Sequence, residues 1–153
     1  MSVTLNIISD TSCFILLTKI GELDLLEKVY DTVITTPEVV AELSQDLPYW
    51  VEVRQAKDSR FQQFLETQLG KGESAAIALA IETPGSRLIL DDKKARDAAE
   101  KLGLMYTGTL GVLIKAKLQG TIPSVKPLLG KIRLTDFRLS SVVERLSLEQ
   151  AGE

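Results

Sequence analysis

The alternation of short apolar runs with helical segments is the feature of this chain that most restricts its fold. Buried strands are predicted where the runs are shortest and most apolar, at residues 3–9, 33–36, 88–90 and 104–107. Strands that alternate with helices are joined by right-handed crossovers, which place them in a mainly parallel sheet. The pattern therefore predicts an α/β protein with four or five strands in its central sheet.

The helices predicted between and after these strands have recognisable ends. Asp10 is a good N-cap for the first of them, residues 70–72 are predicted as a turn, and Thr109 is predicted to cap a later helix. The predicted helices cover about residues 11–19, 23–30, 38–43, 59–69, 73–81, 93–102, 109–120, 125–132 and 140–150. The helix at 73–81 is apolar nearly all round, which is typical of a helix buried on most of its faces.

The bulk composition predicts one packed domain spanning residues 1–153, with C-terminal helices at about 124–150 packing on it. The chain has 153 residues, of which 44% are hydrophobic and 25% charged. A net charge of −3 provides no global positive field, so any RNA must bind through a local basic patch. The single Cys13 and the absence of a long apolar span lead us to expect a cytoplasmic protein without a membrane anchor.

Acidic side chains follow the predicted strands or begin the predicted helices, and the chain contains no histidine. This combination points away from imidazole chemistry and towards carboxylates that hold a hard divalent cation. In open α/β sheets the working crevice lies beyond the carboxyl ends of the strands. The acids converge there if the first, third and fourth predicted strands are neighbours. The candidate residues are Asp10, Glu42, Glu73, Asp91 and Asp92.

Each of these acids also has an ordinary structural explanation. Asp10 could simply cap a helix, and Glu73 could simply favour the positive end of one. The sequence leaves the orientation of Glu42 open. The adjacent pair Asp91 and Asp92 is the strongest local signal, because two carboxylates 4 Å apart repel by about 4 kcal/mol at an effective dielectric constant of 20. A bound cation or nearby lysines must offset that repulsion.

Five motifs around these acids occur in a specific order along the chain. They are DTS at 10–12, PEVVAEL at 37–43, GKGESAAIALA at 70–80, LDDKKAR at 90–96 and TGTLGVL at 107–113. In this order they resemble the motifs of PIN-domain proteins, and most of all the branch related to the VapC-like ribonuclease toxins of type II toxin–antitoxin modules. The resemblance extends from Val3 to about Leu139.

The resemblance implies a three-layer α/β/α fold and an Mg²⁺- or Mn²⁺-dependent endoribonuclease. It makes Asp10, Glu73 and Asp92 the metal ligands, with Asp91 as an alternative for the last and Glu42 as the helix acid. Many relatives have aspartate where this chain has Glu73. Ser12 and Thr107 would be polar supports of the pocket. Candidates to hold the RNA backbone are Lys93, Lys94 and Arg96.

The resemblance also implies a small antitoxin as partner and a homodimer. The apolar residues Phe14, Leu16, Leu17 and Trp50 are candidates for such contacts, and core packing explains them equally well. Two other hypotheses compete with the nuclease. One is an inactive module that keeps the fold and only binds a partner or nucleic acid. The other is a receiver-like signalling domain that accepts a phosphoryl group. One argument against it is that the acid pair comes late in the chain rather than after the first strand.

Overall fold

A computed structural model describes residues 6–153 and contains a central sheet of five strands. The strands are β1 (Asn6–Ser9), β2 (Thr32–Thr35), β3 (Val51–Val53), β4 (Ser86–Ile89) and β5 (Tyr106–Thr107). All neighbouring strands are parallel, in the order β3-β2-β1-β4-β5. In the centre, Ile8 pairs with Ile34 on one side and with Leu88 on the other. The predicted first, third and fourth strands are therefore neighbours, as β1, β4 and β5.

Helices connect the strands and continue beyond the last of them. They are α1 (Thr11–Lys19), α2 (Leu25–Val29), α3 (Pro37–Glu42), α4 (Ser59–Glu66), α5 (Lys71–Ile81), α6 (Lys93–Lys101), α7 (Thr109–Leu118), α8 (Lys126–Arg133) and α9 (Ser141–Gln150). Within residues 6–153, none of them combines the length and the apolar character that crossing a membrane requires.

The two faces of the sheet carry separate apolar cores, because successive residues of a strand point to opposite faces. Ile7 belongs to the core covered by α1, α2, α7 and α8, and its neighbour Ile8 to the core covered by α4, α5 and α6. The C-terminal segment contributes Leu129, Ile132 and Ala151 to the first core. This arrangement confirms the predicted three-layer α/β/α fold.

Several local predictions were wrong. The edge strand β3 escaped prediction because only Val51 of its residues is buried, so it has no apolar run to reveal it. The predicted turn at 70–72 already belongs to α5, which begins at Lys71 with Gly70 as its N-cap. Gly108 rather than Thr109 is the N-cap of α7. Residues 3–5 of the first predicted strand lie outside the described residues.

Core packing accounts for most of the apolar side chains that had been considered for partner contacts. Phe14, Leu16 and Leu17 are buried in the first core, and Trp50 packs against it half-buried. The predicted burial of α5 is confirmed, since every residue from Ser74 to Ala80 is buried. Glu73, in the first turn of the same helix, is half-buried.

Candidate active site

Five carboxylates lie at the carboxyl end of the sheet, and we refer to them together as the acid edge. Asp10 follows β1 directly, whereas Asp91 and Asp92 follow β4 within three residues. Glu42 is the last residue of α3, and Glu73 lies in the first turn of α5. The parallel topology therefore brings to one end of the molecule acids that are far apart in the sequence.

Asp10 is the most buried of these acids, with 1% of its surface exposed. Its carboxylate oxygen Oδ1 accepts a hydrogen bond of 3.1 Å from the backbone N–H of Cys13, so it does cap α1. Burial, and then the charges of Asp91 and Glu73, raise the pKa of Asp10 to about 8, although the N–H groups of Cys13 and Asp91 oppose the rise. Asp10 thus caps α1 and is also affected by the charges of Asp91 and Glu73.

Asp91 is held in place by the first residue of α7. The backbone N–H of Thr109 donates to Oδ1 at 2.8 Å, and the Thr109 hydroxyl donates to Oδ2 at 2.6 Å. A guanidinium nitrogen of Arg96 lies 3.9 Å from Oδ1, and the Asp91 side chain is only 12% exposed. Sequence reasoning missed this role of Thr109, and a hydroxyl residue at the start of a helix beyond the neighbouring strand was the available signal.

Arg96, which was predicted to bind RNA, makes contacts within the protein. Its Nε donates to the carbonyl oxygen of Leu90 at 2.6 Å, and its guanidinium lies 5.7 Å from the centre of the Tyr106 ring. Gly108 leaves room for it, since a Cβ at that position would collide with the guanidinium. Arg96 therefore stabilises the end of β4 beside Asp91.

The other two basic candidates stand at the start of α6. Lys93 forms an exposed ion pair of 3.2 Å with Asp97, one helical turn away. Lys94 is exposed and takes part in none of the ion pairs found in residues 6–153. Both lysines adjoin Asp92, so they bring positive charge to the border of the acid edge.

Asp92 points in a different direction from Asp91. It is exposed and caps α6, because its Oδ2 accepts a hydrogen bond of 3.1 Å from the backbone N–H of Ala95. Its charge acts on Glu73, whereas the charge of Asp91 acts on Asp10. The two carboxylates of the pair are therefore held by different helices, Asp91 by α7 and Asp92 by α6.

Glu73 interacts electrostatically with three other acids of the acid edge, Asp10, Glu42 and Asp92. Burial, then the charge of Asp92 and finally that of Glu42 raise its pKa above the ordinary value, while the backbone N–H of Gly70 lowers it. Glu73 also contributes to the raised pKa of Asp10. The charges of Asp92 and Glu42 therefore act on the half-buried Glu73 carboxylate, whose own charge acts on Asp10.

Glu42 is fixed by a contact that we call the Glu42 bridge, formed by Thr11, Glu42 and Gly72. The Thr11 hydroxyl donates to one carboxylate oxygen at 2.7 Å, and the backbone N–H of Gly72 donates to the other at 2.7 Å. The orientation that the sequence left open is therefore across the sheet end, towards α1 and α5. Thr11 and Gly72 were not predicted as site residues, although each directly neighbours a predicted acid.

The two predicted polar supports occupy different surroundings. Ser12 is exposed on α1 and lines a cavity of about 270 Å³ whose only acidic lining residue is Asp136. Thr107 is half-buried at the end of β5, where its hydroxyl lies 3.5 Å from the carbonyl oxygen of Gly108. Thr107 is therefore next to α7 and the Asp91 contact, whereas Ser12 faces the C-terminal segment.

The acid edge fits an open cation site rather than an enclosed one. Among residues 6–153, no three acidic or thiol side chains stand close enough together to form a ready-made metal cage. The donors are all carboxylate oxygens, and burial, followed by the charges of neighbouring acids, raises the pKa of Asp10 and of Glu73. Mg²⁺ keeps several waters and often uses only one or two protein carboxylates. These residues therefore fit a hydrated Mg²⁺ or Mn²⁺.

A five-stranded parallel sheet between layers of helices, with acids at its carboxyl end, is consistent with a PIN-like fold. The chain belongs to the PIN-domain family, since the family model described as PIN domain matches residues 6–153. PIN domains are generally nucleases that use divalent metal ions. No curated protein and no solved structure matches the chain significantly.

Proposed function

We propose that this protein is an Mg²⁺- or Mn²⁺-dependent endoribonuclease that hydrolyses RNA phosphodiesters at the acid edge. The observation that carries the proposal is the buried Asp10, whose carboxyl is coupled to Asp91 and Glu73 at the working end of a PIN fold. A solvent-inaccessible acid with acidic neighbours takes up a proton unless a bound cation stabilises its charged form. The arrangement is therefore better explained by cation binding than by capping alone.

In this proposal some side chains bind the cation, and others fix those ligands in position. Asp10, Glu73 and one or both of Asp91 and Asp92 would hold the cation, which would lower the pKa of a bound water and stabilise negative charge on the leaving oxygen. Thr109 fixes the Asp91 carboxylate with two hydrogen bonds, so its position costs no reorganisation during the reaction. Because the chain has no histidine, a carboxylate or solvent takes the proton of the attacking water.

The RNA backbone would approach past the start of α6. Lys93 and Lys94 are exposed there beside Asp92, and they supply the local positive charge that a chain of net charge −3 needs. Arg96 is engaged with Leu90 and Asp91, so we assign it to positioning rather than to direct backbone contact.

The finer biological role that we propose is the toxin of a toxin–antitoxin pair, acting in the cytoplasm as a homodimer. It rests on the sequence resemblance, and exposed apolar residues offer surface for partners. Val142, Val143 and Leu146 are each more than 40% exposed on α9, and Leu134 is 89% exposed.

The experiment that tests the proposal is cleavage of a panel of structured RNAs with Mg²⁺, Mn²⁺ or a chelator. We expect Asp10→Asn to reduce the rate by about 100-fold or more, since losing metal charge stabilisation costs several kcal/mol. The matched control is Asp24→Asn, which makes the same change at an exposed residue whose side chain forms no capping bond. Cleavage that survives both Asp10→Asn and the chelator would refute the proposal.

A second candidate is an inactive PIN module that binds nucleic acid or protein without cleaving it. It is favoured by the finding that the described residues hold no ready-made cluster of three ligands. Folded wild-type protein that binds RNA, but cleaves nothing with either metal, would support this candidate. The PIN-domain match leaves the receiver-like alternative without support.

A further inference from the structure

A second cavity lies at the opposite end of the sheet from the acid edge. Its volume is about 350 Å³, and its lining includes Asn6 and Ser86, the first residues of β1 and β4. This volume is at the small end of the range for ligand-binding pockets. The cavity is separate from the candidate active site, because the two lie at opposite ends of the same parallel strands.

Two cationic side chains line this cavity, and none of the described residues that line it with them is acidic. Arg87 on β4 pairs in register with Ile7, so it faces the side of the sheet that α7 covers, and Lys115 comes from α7 itself. The ion pairs within residues 6–153 involve neither Arg87 nor Lys115. Lys115 instead places its Nζ 4.9 Å from the centre of the buried Tyr30 ring. The cavity therefore concentrates positive charge.

The direction of the Lys115 pKa shift is consistent with burial beside a second cation. Burial, and then the charge of Arg87, lower the pKa of Lys115, while Asp31 raises it. Burial also raises the pKa of Tyr30 to about 12, so its phenol is not an anion that could balance the cations near neutral pH. An anion between Arg87 and Lys115 would relieve their mutual repulsion.

The rest of the wall is largely apolar. Pro84, Leu104 and Met105 line the cavity beside the cations, and Met105 is 60% exposed. A ligand that matches both the cations and the apolar wall has a doubly negative group at one end and an apolar or aromatic body. A phosphate monoester carries a charge of about −1.5 to −2 near pH 7, and the guanidinium fork of arginine suits phosphate oxygens.

We propose that this cavity binds a phosphate monoester of mononucleotide size. Its phosphate lies between Arg87 and Lys115, and its body packs on Pro84, Leu104 and Met105. Binding there needs neither the acid edge nor a divalent cation, so the site is independent of the nuclease activity proposed above.

Calorimetric titration with 5′-AMP, adenosine and inorganic phosphate, in chelator and without RNA, tests this proposal. We expect saturable binding of 5′-AMP by the wild type and at least about tenfold weaker binding by Arg87→Met and Lys115→Met, since each variant loses a charged hydrogen-bond donor to the phosphate. Arg138→Met removes an exposed cation outside the cavity and should bind like the wild type. Adenosine and phosphate should each bind more weakly than 5′-AMP.

Several outcomes would overturn the proposal. They are no saturable binding by the wild type, equal affinity in the two cavity variants, or amide shifts that map 5′-AMP to the acid edge rather than to Gly85, Gly103 and Met105. Phosphate binding as tightly as 5′-AMP would refute the packing of the body. If Arg87→Met does not fold, Arg87→Lys together with Lys115→Met decides the question, because Arg87→Lys retains the charge and should keep part of the affinity.

Discussion

At the scale of single residues, acids of the acid edge cap helices and also act on one another electrostatically. Asp10 caps α1 and is also the most buried acid of the site, and Asp92 caps α6 while its charge acts on Glu73. A capping bond to a backbone N–H contributes about 1 kcal/mol, which is far less than the repulsion among buried carboxylates. The caps alone therefore do not compensate for gathering these charges.

The pKa of Asp10 makes stability depend on pH in the absence of divalent cations. Its folded value of about 8 exceeds the ordinary 3.8, so between these values the folded state binds more protons than the unfolded state. The free energy of unfolding should therefore fall as the pH rises through this window, and Glu73 acts in the same direction. Urea unfolding in chelator at about pH 5 and about pH 8 measures the difference.

Asp10→Asn is the variant that isolates this effect, since asparagine can still cap α1. It should flatten the fall in unfolding free energy between the two pH values, whereas Asp24→Asn should leave it as in the wild type. An equal fall in wild type and Asp10→Asn would show that Asp10 does not carry the pH dependence.

At the scale of elements, the Glu42 bridge ties together helices that belong to different parts of the chain. Thr11 begins α1, Glu42 ends α3 and Gly72 lies in the first turn of α5. A Cβ on Gly72 would come within 2.9 Å of both Glu42 carboxylate oxygens and of the Thr11 hydroxyl. Glycine is therefore needed here for close approach.

Gly72→Ala should displace the flexible end of Glu42 rather than unfold α5. We expect thermal stability to change little, because alanine gains helix propensity while the bridge is lost, and RNA cleavage to fall by about tenfold or more. Gly130→Ala is the matched control, since a Cβ there meets nothing within 4 Å, and it should stabilise α8 without affecting cleavage. If Gly72→Ala cleaves RNA at the same rate as the wild type, the Glu42 bridge has no part in the reaction.

At the scale of the whole molecule, the sheet order decides which distant residues meet. The order β3-β2-β1-β4-β5 places β1 beside β4, so that Asp10 donates its backbone N–H to the carbonyl oxygen of Ile89 at 3.3 Å and lies next to the Asp91 segment. The same order places Arg87 on the face that α7 covers, at the other end. One topology thus separates a negative end of the sheet from a positive one.

Cation binding at the acid edge should stabilise the whole protein, because a ligand that binds only the folded state raises its stability. We expect Mg²⁺ or Mn²⁺ to raise the unfolding temperature of the wild type, and more at about pH 8 than at about pH 5, where protons compete for Asp10. The Asp10→Asn variant should show a smaller rise. Thermal scans with and without metal at both pH values make the comparison, and a wild-type unfolding temperature that does not respond to metal would contradict it.

The sequence by itself determined the alternation of strands and helices, the parallel sheet and most helix ends, because apolar periodicity and capping residues act over a few neighbours. The observed start of α6 and end of α9 agree with their predicted positions, and the three acid positions at strand ends follow from the same local pattern. Only the tertiary structure decided that Asp91 turns to Thr109 and that Glu42 reaches Gly72. It also revealed β3 and the cationic cavity. These features depend on contacts between residues far apart in the chain, whose geometry is set by packing across the sheet rather than by local preference.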